Sequence, residues 1–196
     1  MAKICIEKVG KKFYHFYPTM VTLVTVHAKG KENAMPAAWN SALSFDPPLY
    51  GVAITPKRHT YQMILEAKEF ALNFLPYEAA EVLAQTGGCS GREVDKFQRF
   101  QLAKESPKKI KSPILKDAYA AYECRLVDHH TYGDHEWFVG EVVAVHYLKE
   151  GFDEKGIINL DFLRPALYLG SDIYLTAEKE SKRHLDREVY GRGAKS

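Results

Sequence analysis

The chain has few cysteines for its length, and their positions exclude two common uses of this residue. The three cysteines among 196 residues are Cys5, Cys89 and Cys124, which fit neither a disulfide framework nor a C-x-x-C metal site. Cys124 occupies the apolar side of an alternating segment, which predicts core packing. Cys89 lies in the sequence GGCSG, where an exposed, redox-active thiol is a secondary hypothesis.

Excess charge of one sign and long apolar runs are also lacking. The formal net charge is +2, so no global argument favours nucleic acid or an acidic membrane as a partner. The most basic stretch, residues 104–111, contains serine and proline and is typical of an exposed loop. No apolar run approaches the roughly 20 residues of a membrane span. The N-terminal residues lack the uncharged apolar stretch of a signal peptide, and we therefore expect a cytoplasmic protein.

The sequence contains no G-x-G-x-x-G fingerprint, so no Rossmann nicotinamide domain is predicted. Apolar and β-branched runs instead predict short strands and few helices. Strands are expected at residues 20–27, 49–55, 70–75, 119–128 and 137–148, helices at 60–68 and 77–85, a helical turn within 89–101 and a final core element at 162–169. Short strands with hairpin-like connections predict an antiparallel barrel. We expect one domain over residues 1–196, in which residues 178–196 form a charged helix or arm.

One predicted strand has an unusual shortage of large side chains. It covers residues 33–45 and is interrupted by Trp39, and its small residues are Ala34, Ala37, Ala38, Ser41, Ala42 and Ser44. Strands normally prefer β-branched and aromatic side chains. The small residues therefore suggest that a flat ligand lies close against the backbone. The alternative is that they pack beneath a helix.

The same segment leads into a candidate anion site. The sequence DPP at residues 46–48 ends the strand, because proline cannot donate to a strand ladder, and residues 49–55 return as a second strand. The sequence KRHT at residues 57–60 then enters a helix, with Thr60 as a plausible N-cap. Free N–H groups and the helix dipole favour anions at such a position. A solvated basic surface is the alternative.

Two later motifs carry further polar groups. Residues 90–97, SGREVDKF, form a loop that leads into a charged turn, which by itself is a weak signal. Residues 133–142 read GDHEWFVGEV. In this motif Asp134 can orient the imidazole of His135 or cap the turn. Gly140 leaves a gap in a central strand, which allows another backbone or a ligand to approach closely.

A metal site is not predicted from the histidines. Residues 129–130 are both histidine and lie near His135, but no fourth ligand at a convincing spacing completes a site.

Taken in chain order, these segments resemble the flavin reductase-like, FMN-binding split-barrel family, the group of flavoredoxins, ferric reductases and flavin reductases. Its first motif, N-x-x-P-x-S/A-W/F-x-x-x-x-S followed by x-P-P and R-x-T, is matched by Asn33, Pro36, Trp39, Asn40, Ser41, Ser44, Pro47, Pro48, Arg58 and Thr60. Its S-G-x-x-x-D-K-F and G-D-H-x-x-x-x-G-E-V elements resemble residues 90–97 and 133–142. The resemblance covers nearly the whole chain. It implies a mainly β, antiparallel split β-barrel with short peripheral helices.

The resemblance also implies an FMN site, with NAD(P)H as a transient co-substrate. Backbone groups of residues 38–42 would face the polar edge of the flavin ring, Trp39 would pack against the ring or wall its pocket, and Arg58 with Thr60 would bind the phosphate. The implied cofactor-binding residues are Asn33, Trp39, Asn40, Ser41, Ala42, Arg58, Thr60, Ser90, Lys96, His135 and Tyr168.

Three of these residues are expected at the reactive end of the flavin. The resemblance makes Lys96 a candidate flavin or phosphate contact, and a lysine near the ring stabilises reduced flavin, which is anionic near neutral pH. His135, the catalytic candidate, would donate to the flavin or the nicotinamide, and Tyr168 would supply an aromatic ring nearby.

The expected function is an FMN-binding oxidoreductase that takes a hydride from NAD(P)H and passes electrons to free flavin, a ferric chelate or a protein acceptor. One alternative is an FMN-containing, flavoredoxin-like electron-transfer protein without its own productive NAD(P)H site. Another is a barrel that binds a different small ligand without redox chemistry. We also expect a homodimer with the flavin at its interface, because the apolar strands present more sheet surface than the few short helices can cover.

Overall fold

The computed structural model describes residues 1–10 and 13–191, except for the side chains of residues 14 and 15. Its largest element is a seven-stranded antiparallel sheet with the strand order β3-β2-β6-β9-β10-β5-β4. The strands of this sheet are β2 (Thr22–Ala28), β3 (Lys31–Ala37), β4 (Asn40–Phe45), β5 (Pro48–Ile54), β6 (Glu69–Phe74), β9 (Ala120–Tyr132) and β10 (His135–Tyr147). A three-stranded sheet contains β1 (Thr19–Met20), β11 (Leu167–Gly170) and β12 (Ile173–Leu175). A two-stranded sheet contains β7 (Lys104–Glu105) and β8 (Ile114–Leu115).

The helices are short and lie outside the barrel. They are α1 (His59–Ala67), α2 (Ala80–Gly87), α3 (Lys96–Arg99) and α4 (Arg187–Gly191), with 3₁₀ turns at Phe13–Phe16, Tyr77–Ala79, Lys149–Gly151 and Lys179–Ser181. No helix in the described part of the chain is long and apolar enough to cross a bilayer. The prediction of a mainly β, antiparallel fold with short peripheral helices is confirmed.

The sheet closes into a barrel at a seam formed by two residues. β3 and β4 are the two edge strands of the seven-stranded sheet, yet only Ala38 and Trp39 separate them in the chain. The sheet must therefore curl until its edges meet, because two residues cannot span a flat seven-stranded sheet. Trp39 stays attached to β5 through its carbonyl, which accepts a hydrogen bond from the amide of Ala53 at 2.9 Å.

The predicted single strand over residues 33–45 is therefore wrong, since it is divided at this seam. On β3, the small residue Ala34 is fully buried and packs with Leu83 of α2 and Phe97 of α3. For β3, the alternative interpretation therefore holds: its small residue packs beneath helices. On β4, Ser41 and Ala42 are exposed.

Apolar side chains fill the barrel interior. Phe70, Phe138 and Cys124 are fully buried there, which confirms the prediction that Cys124 belongs to the core. A Cβ on Gly140 would lie 2.7 Å from both the Phe70 ring and the Cys124 Cβ. The gap at Gly140 thus receives two core side chains rather than a backbone or ligand.

The hairpin that carries His135 is tighter than predicted. β9 continues to Tyr132 and β10 begins at His135, so the connection is a two-residue turn at Gly133 and Asp134. Gly133 has a φ of +64°, which explains glycine at this position. β10 is a central strand as predicted, but Val145 near its end is 55% exposed.

The basic segment at residues 104–111 is more ordered than a loop. Its first two residues form β7, and Ile110 is buried. The fully buried carboxylate of Glu123 accepts hydrogen bonds from the amides of Lys108, Lys109 and Ile110 at 2.6–3.0 Å. The lysine side chains of this segment remain exposed, and that of Lys104 donates to Glu32 Oε2 at 2.6 Å.

The C-terminal part differs in extent from the expectation. Within residues 162–169, Phe162 is 57% exposed, and the strand β11 covers only the end of the predicted core element. Residues 178–191 contain one 3₁₀ turn and α4, while residues 192–196 lie outside the described residues. The organisation of residues 1–196 as one domain stays a prediction.

Candidate functional site at the barrel seam

A cleft runs along the barrel seam and consists of two connected cavities. The first, of about 680 Å³, follows the end of β3, Trp39 and the start of β10. The second, of about 480 Å³, lies between the N-terminus of α1, the end of α2 and the loop at residues 89–93. Met35, Pro36 and Arg58 line both cavities, which we name the ring end and the anion end.

Cations and backbone donors surround the anion end. The N-cap of α1 is Arg58, whose side chain makes no capping bond, so the first-turn N–H groups of the helix are available to a ligand. The positively charged lining residues are Lys57, Arg58, Arg92 and Lys96, with Glu93 as a single carboxylate among the described residues. Burial lowers the pKa of His59, and the charges of Arg92, Lys31 and Lys96 lower it further. The field at this end is therefore positive.

Thr60 lies in the first turn of α1, so the prediction that it is the N-cap is wrong: the helix begins at His59. Its side chain is buried, and its Oγ1 accepts a hydrogen bond from Asn33 Nδ2 at 2.8 Å. The hydroxyl proton of Thr60 is thus left to donate elsewhere. Asn33 is 2% exposed, and its Oδ1 has no partner among the described residues.

The loop at residues 89–93 packs directly on this pair. A Cβ on Gly91 would lie 2.1 Å from Asn33 Oδ1, so only glycine permits this approach. Ser90 Oγ accepts a hydrogen bond from the Arg92 amide at 3.2 Å, and Arg92 Nη1 donates to the Lys57 carbonyl at 2.9 Å. Cys89 is a free thiol in the same wall, and it is only partly exposed, whereas an exposed thiol was the hypothesis.

Lys96 lies beneath the anion end rather than in the open cavity. It is 3% exposed, and its Nζ donates to the carbonyls of Ala34 at 2.9 Å and Thr86 at 2.5 Å. Burial lowers its pKa, and no carboxylate in the described part of the chain forms an ion pair with it. A bound anion would compensate the charge of Lys96 more fully than the two carbonyls do.

Aromatic side chains dominate the ring end. The Trp39 and His135 rings lie 4.6 Å apart between centroids at an interplanar angle of 42°. Asp134 Oδ1 bonds His135 Nδ1 at 2.8 Å, which confirms that this aspartate orients the imidazole. Tyr168 also lines this end, and its hydroxyl accepts a hydrogen bond from the Asp172 amide at 3.2 Å.

Three predicted ligand residues are not brought into this cleft. Asn40 Nδ2 donates to the carbonyls of Met20 and Ala37, and its Oδ1 accepts from the Tyr50 hydroxyl at 2.6 Å. The side chain of Asn40 therefore joins β4 to β1, β3 and β5 at the seam. Ser41 and Ala42 are exposed on β4 and line neither end of the cleft within one chain.

Several lining residues were missed by the sequence reasoning. They are Met35, Ala53, Thr55, Thr86 and Arg92. Arg92 occupies a variable position of the S-G-x-x-x-D-K-F motif, and its charge beside KRHT was the available signal. Thr86 contributes from α2, where no sequence signal existed.

The cleft has the properties required by an FMN molecule. Flat aromatic walls stand at one end, and uncapped helix amides with several cations stand at the other. The unpartnered Asn33 Oδ1 offers a buried acceptor. A planar ring with a dianionic phosphate tail matches this separation of apolar and cationic surface.

Comparison with known proteins agrees with this geometry. The FMN-binding protein of Thermus thermophilus, solved with bound 1-cyclohex-2-enone, superposes with a TM-score of 0.83 at 38% identity and covers 94% of this chain and 100% of its own. A flavoredoxin of Methanosarcina acetivorans superposes with a TM-score of 0.81 at 27% identity, covering 94% and 96%.

Sequence comparison points to the same group. A probable flavin reductase of Rhizobium meliloti is 29% identical over 149 residues, which are 76% of this chain and 44% of that protein. The model of the flavin reductase like domain matches residues 13–174, and a split-barrel domain from Shewanella frigidimarina superposes with a TM-score of 0.80 at 23% identity, covering 93% of this chain and 95% of its own. The chain therefore belongs to the flavin reductase-like family and has its split-barrel fold.

Proposed function

We propose that the chain is an FMN-binding oxidoreductase that takes a hydride from NAD(P)H and passes electrons to free flavin, a ferric chelate or a protein acceptor. The observation that carries this proposal is the continuity of an aromatic ring end with a cationic anion end in one cleft. A flavin mononucleotide has a large flat ring and a terminal phosphate, which match the two ends of this cleft. FMN is preferred over FAD because no separate adenine-binding element was recognised in the sequence.

The roles of the residues at the anion end follow from their donors. The Thr60 hydroxyl, the first-turn amides of α1 and the Arg58 guanidinium would hold the phosphate. Arg92 and Ser90 would close the cavity from the loop side. Lys96 would act through its charge from beneath the floor, since two carbonyls already accept from its ammonium.

At the ring end, the residues would position the reacting groups and exclude water. Trp39 would form a wall against the flavin ring, and Tyr168 lines the same end of the cleft. His135, held by Asp134, would fix the nicotinamide or flavin edge at the distance that hydride transfer requires. When bound, FMN would supply the two-electron chemistry.

The competing proposal is an FMN-containing electron-transfer protein, which the similarity to a flavoredoxin supports. A spectrum of the purified protein before and after anaerobic addition of NADPH or NADH separates the two. We expect rapid loss of absorbance near the flavin maximum with at least one nicotinamide. If neither nicotinamide bleaches the bound flavin, the electron-transfer protein is the better description. Chromatography of the released chromophore would identify FMN.

We also propose a homodimer. Large apolar side chains are exposed on the edge strand β4 and on the central strands β9 and β10, which is costly for an isolated chain. They are Leu43, Phe45, Val127, Val145 and Tyr147, with Phe45 at 99% exposure. A second copy that covers this face could bring exposed β4 residues, including Ser41 and Ala42, to a flavin at the interface. Light scattering at micromolar concentration should give the dimer mass, and a flavin-loaded monomer would contradict the proposal.

A further inference from the structure

A second concave surface adjoins the ring end of the cleft. It encloses about 610 Å³, and its walls include five aromatic side chains: Phe13, Tyr17, Trp39, Tyr132 and Trp137. We name it the aromatic chamber. Trp39 and His135 line both the aromatic chamber and the ring end, so the two spaces meet at this ring pair.

The aromatic chamber is built by the strand arrangement and not by chance exposure of one segment. Trp137 on β10 lies flat on β5, where a Cβ on Gly51 would be only 2.3 Å from the indole ring. Gly51 therefore lets the indole, which lines the chamber, lie close against the backbone. Tyr132 is paired with His135 across the β9–β10 turn, and Trp39 is fixed at the seam.

The charge of the lining selects the kind of ligand. Among the described residues that line the aromatic chamber there is no carboxylate, ammonium or guanidinium group. This contrasts with the anion end, where Arg58, Arg92 and Lys96 gather. His135 is the one described lining residue that can become cationic, so most of the hydration lost by a buried phosphate or carboxylate would not be compensated. Nicotinamide dinucleotides and anionic ferric chelates are therefore poor occupants, whereas flat uncharged rings are favoured.

We propose that the aromatic chamber binds an uncharged planar ring compound of the quinone class. The volume is within the range of small-molecule sites, about 300–1,000 Å³. Tyr17 and Tyr132 carry hydroxyls that can donate to the ring carbonyls. The position next to His135 suits an electron acceptor.

The acceptor role rests on the proposed function. In the net reaction, the nicotinamide donor is oxidised to NAD(P)⁺ and loses a hydride, and the quinone gains two electrons and two protons. One proton arrives with the hydride and the other comes from solvent, and the product is the hydroquinone.

Binding can be tested without flavin, because the chain has two tryptophans and both line the aromatic chamber. The probe is duroquinone, whose fully methylated ring does not add thiols. Titration of the flavin-free protein should quench tryptophan emission with saturation. Tyr132→Ala should weaken binding about fivefold, as expected for the loss of one stacking partner. Tyr190→Ala, an exposed tyrosine of α4, is the matched control and should leave the titration unchanged.

Two results would overturn the site. Linear, unsaturable quenching would show that duroquinone does not bind. If the protein is a dimer whose tryptophans neither duroquinone nor acrylamide can quench, a second copy covers the chamber. Turnover of FMN-loaded protein tests the acceptor role separately: Tyr132→Ala should lower kcat/KM more for duroquinone than for ferric citrate. Saturable binding without flavin reduction by NAD(P)H would support the site while rejecting the proposed function.

Discussion

The Tyr61 hydroxyl donates a 2.9 Å hydrogen bond to Oε2 of Glu136, a carboxylate that is 6% exposed. Thr131 donates to the same oxygen and His129 bonds the other one. Burial tends to raise the pKa of Glu136, but the bonds from Tyr61, His129 and Thr131 leave it below the usual range. Each partner of the bond adjoins a cleft residue in sequence, since Thr60 precedes Tyr61 and His135 precedes Glu136. The bond therefore connects the start of α1, at the anion end, to the start of β10, at the ring end.

Removing that bond should loosen both ends of the cleft. We expect Tyr61→Phe to lower the free energy of unfolding by about 1.5–3 kcal/mol, the usual contribution of a hydrogen bond to a charged group. It should also slow flavin reduction at saturating NAD(P)H with little change in KM. Urea unfolding and stopped-flow kinetics give the two quantities. Tyr190→Ala is the control, and an unchanged unfolding curve would show that the bond contributes nothing.

Thr60→Ala should weaken binding of FMN and barely affect riboflavin, which has no phosphate. The loss of one hydrogen bond to a dianion predicts a cost of about 1.5–3 kcal/mol in binding, tenfold or more in Kd. Fluorescence titration with both flavins measures it, and Ser181→Ala, an exposed hydroxyl of the Lys179–Ser181 turn outside the cleft lining, is the control. Equal losses for the two flavins would make Thr60 a structural residue through its bond to Asn33.

His135→Ala should slow flavin reduction by NAD(P)H, by up to about a hundredfold, because small errors in the hydride-transfer distance are costly. Stopped-flow bleaching of FMN-saturated protein is the measurement, since saturation removes any effect on cofactor affinity. His130→Ala, on the same hairpin but outside the cleft lining, is the control. A normal reduction rate with a lower melting temperature would assign His135 a structural role.

Gly91→Ala should abolish FMN binding while the barrel remains folded. The added Cβ would fall 2.1 Å from Asn33 Oδ1, and the loop must move because Asn33 is buried. Gly151→Ala is the control, since its Cβ would meet Leu163 at an ordinary 3.5 Å. Circular dichroism and FMN titration report fold and binding. Tight FMN binding by Gly91→Ala would show that the loop is not part of the anion end.

The contribution of Glu123 to stability should depend on pH. Burial tends to raise its pKa, but bonds from the amides of Lys108, Lys109 and Ile110 and from His146 hold it below the ordinary value of 4.5. A carboxylate with a depressed pKa contributes stability above its unfolded pKa and loses that contribution as pH falls through the folded pKa. Urea unfolding should therefore show a large difference between wild type and Glu123→Gln at pH 7 that shrinks below about pH 4.5. A difference that stays constant with pH would contradict this account.

The sequence by itself determined the local features of this protein. Alternating and β-branched runs identified β2 and β9, because the period of apolar residues sets which face of a strand is buried. The order of the three motifs pointed to the family. The KRHT cluster located the anion end, since those residues are neighbours in the chain and enter one helix.

Only the tertiary structure decided which distant residues meet. The break at Ala38 and Trp39 follows from the curl of the sheet, which depends on long-range strand pairing that no local pattern records. The same pairing placed Asn40 in the seam and Lys96 beneath the cavity floor. The aromatic chamber unites Phe13, Trp39 and Trp137 from separate segments, and nothing in the sequence indicated that Phe13 and Trp137 would meet Trp39 when the barrel closed.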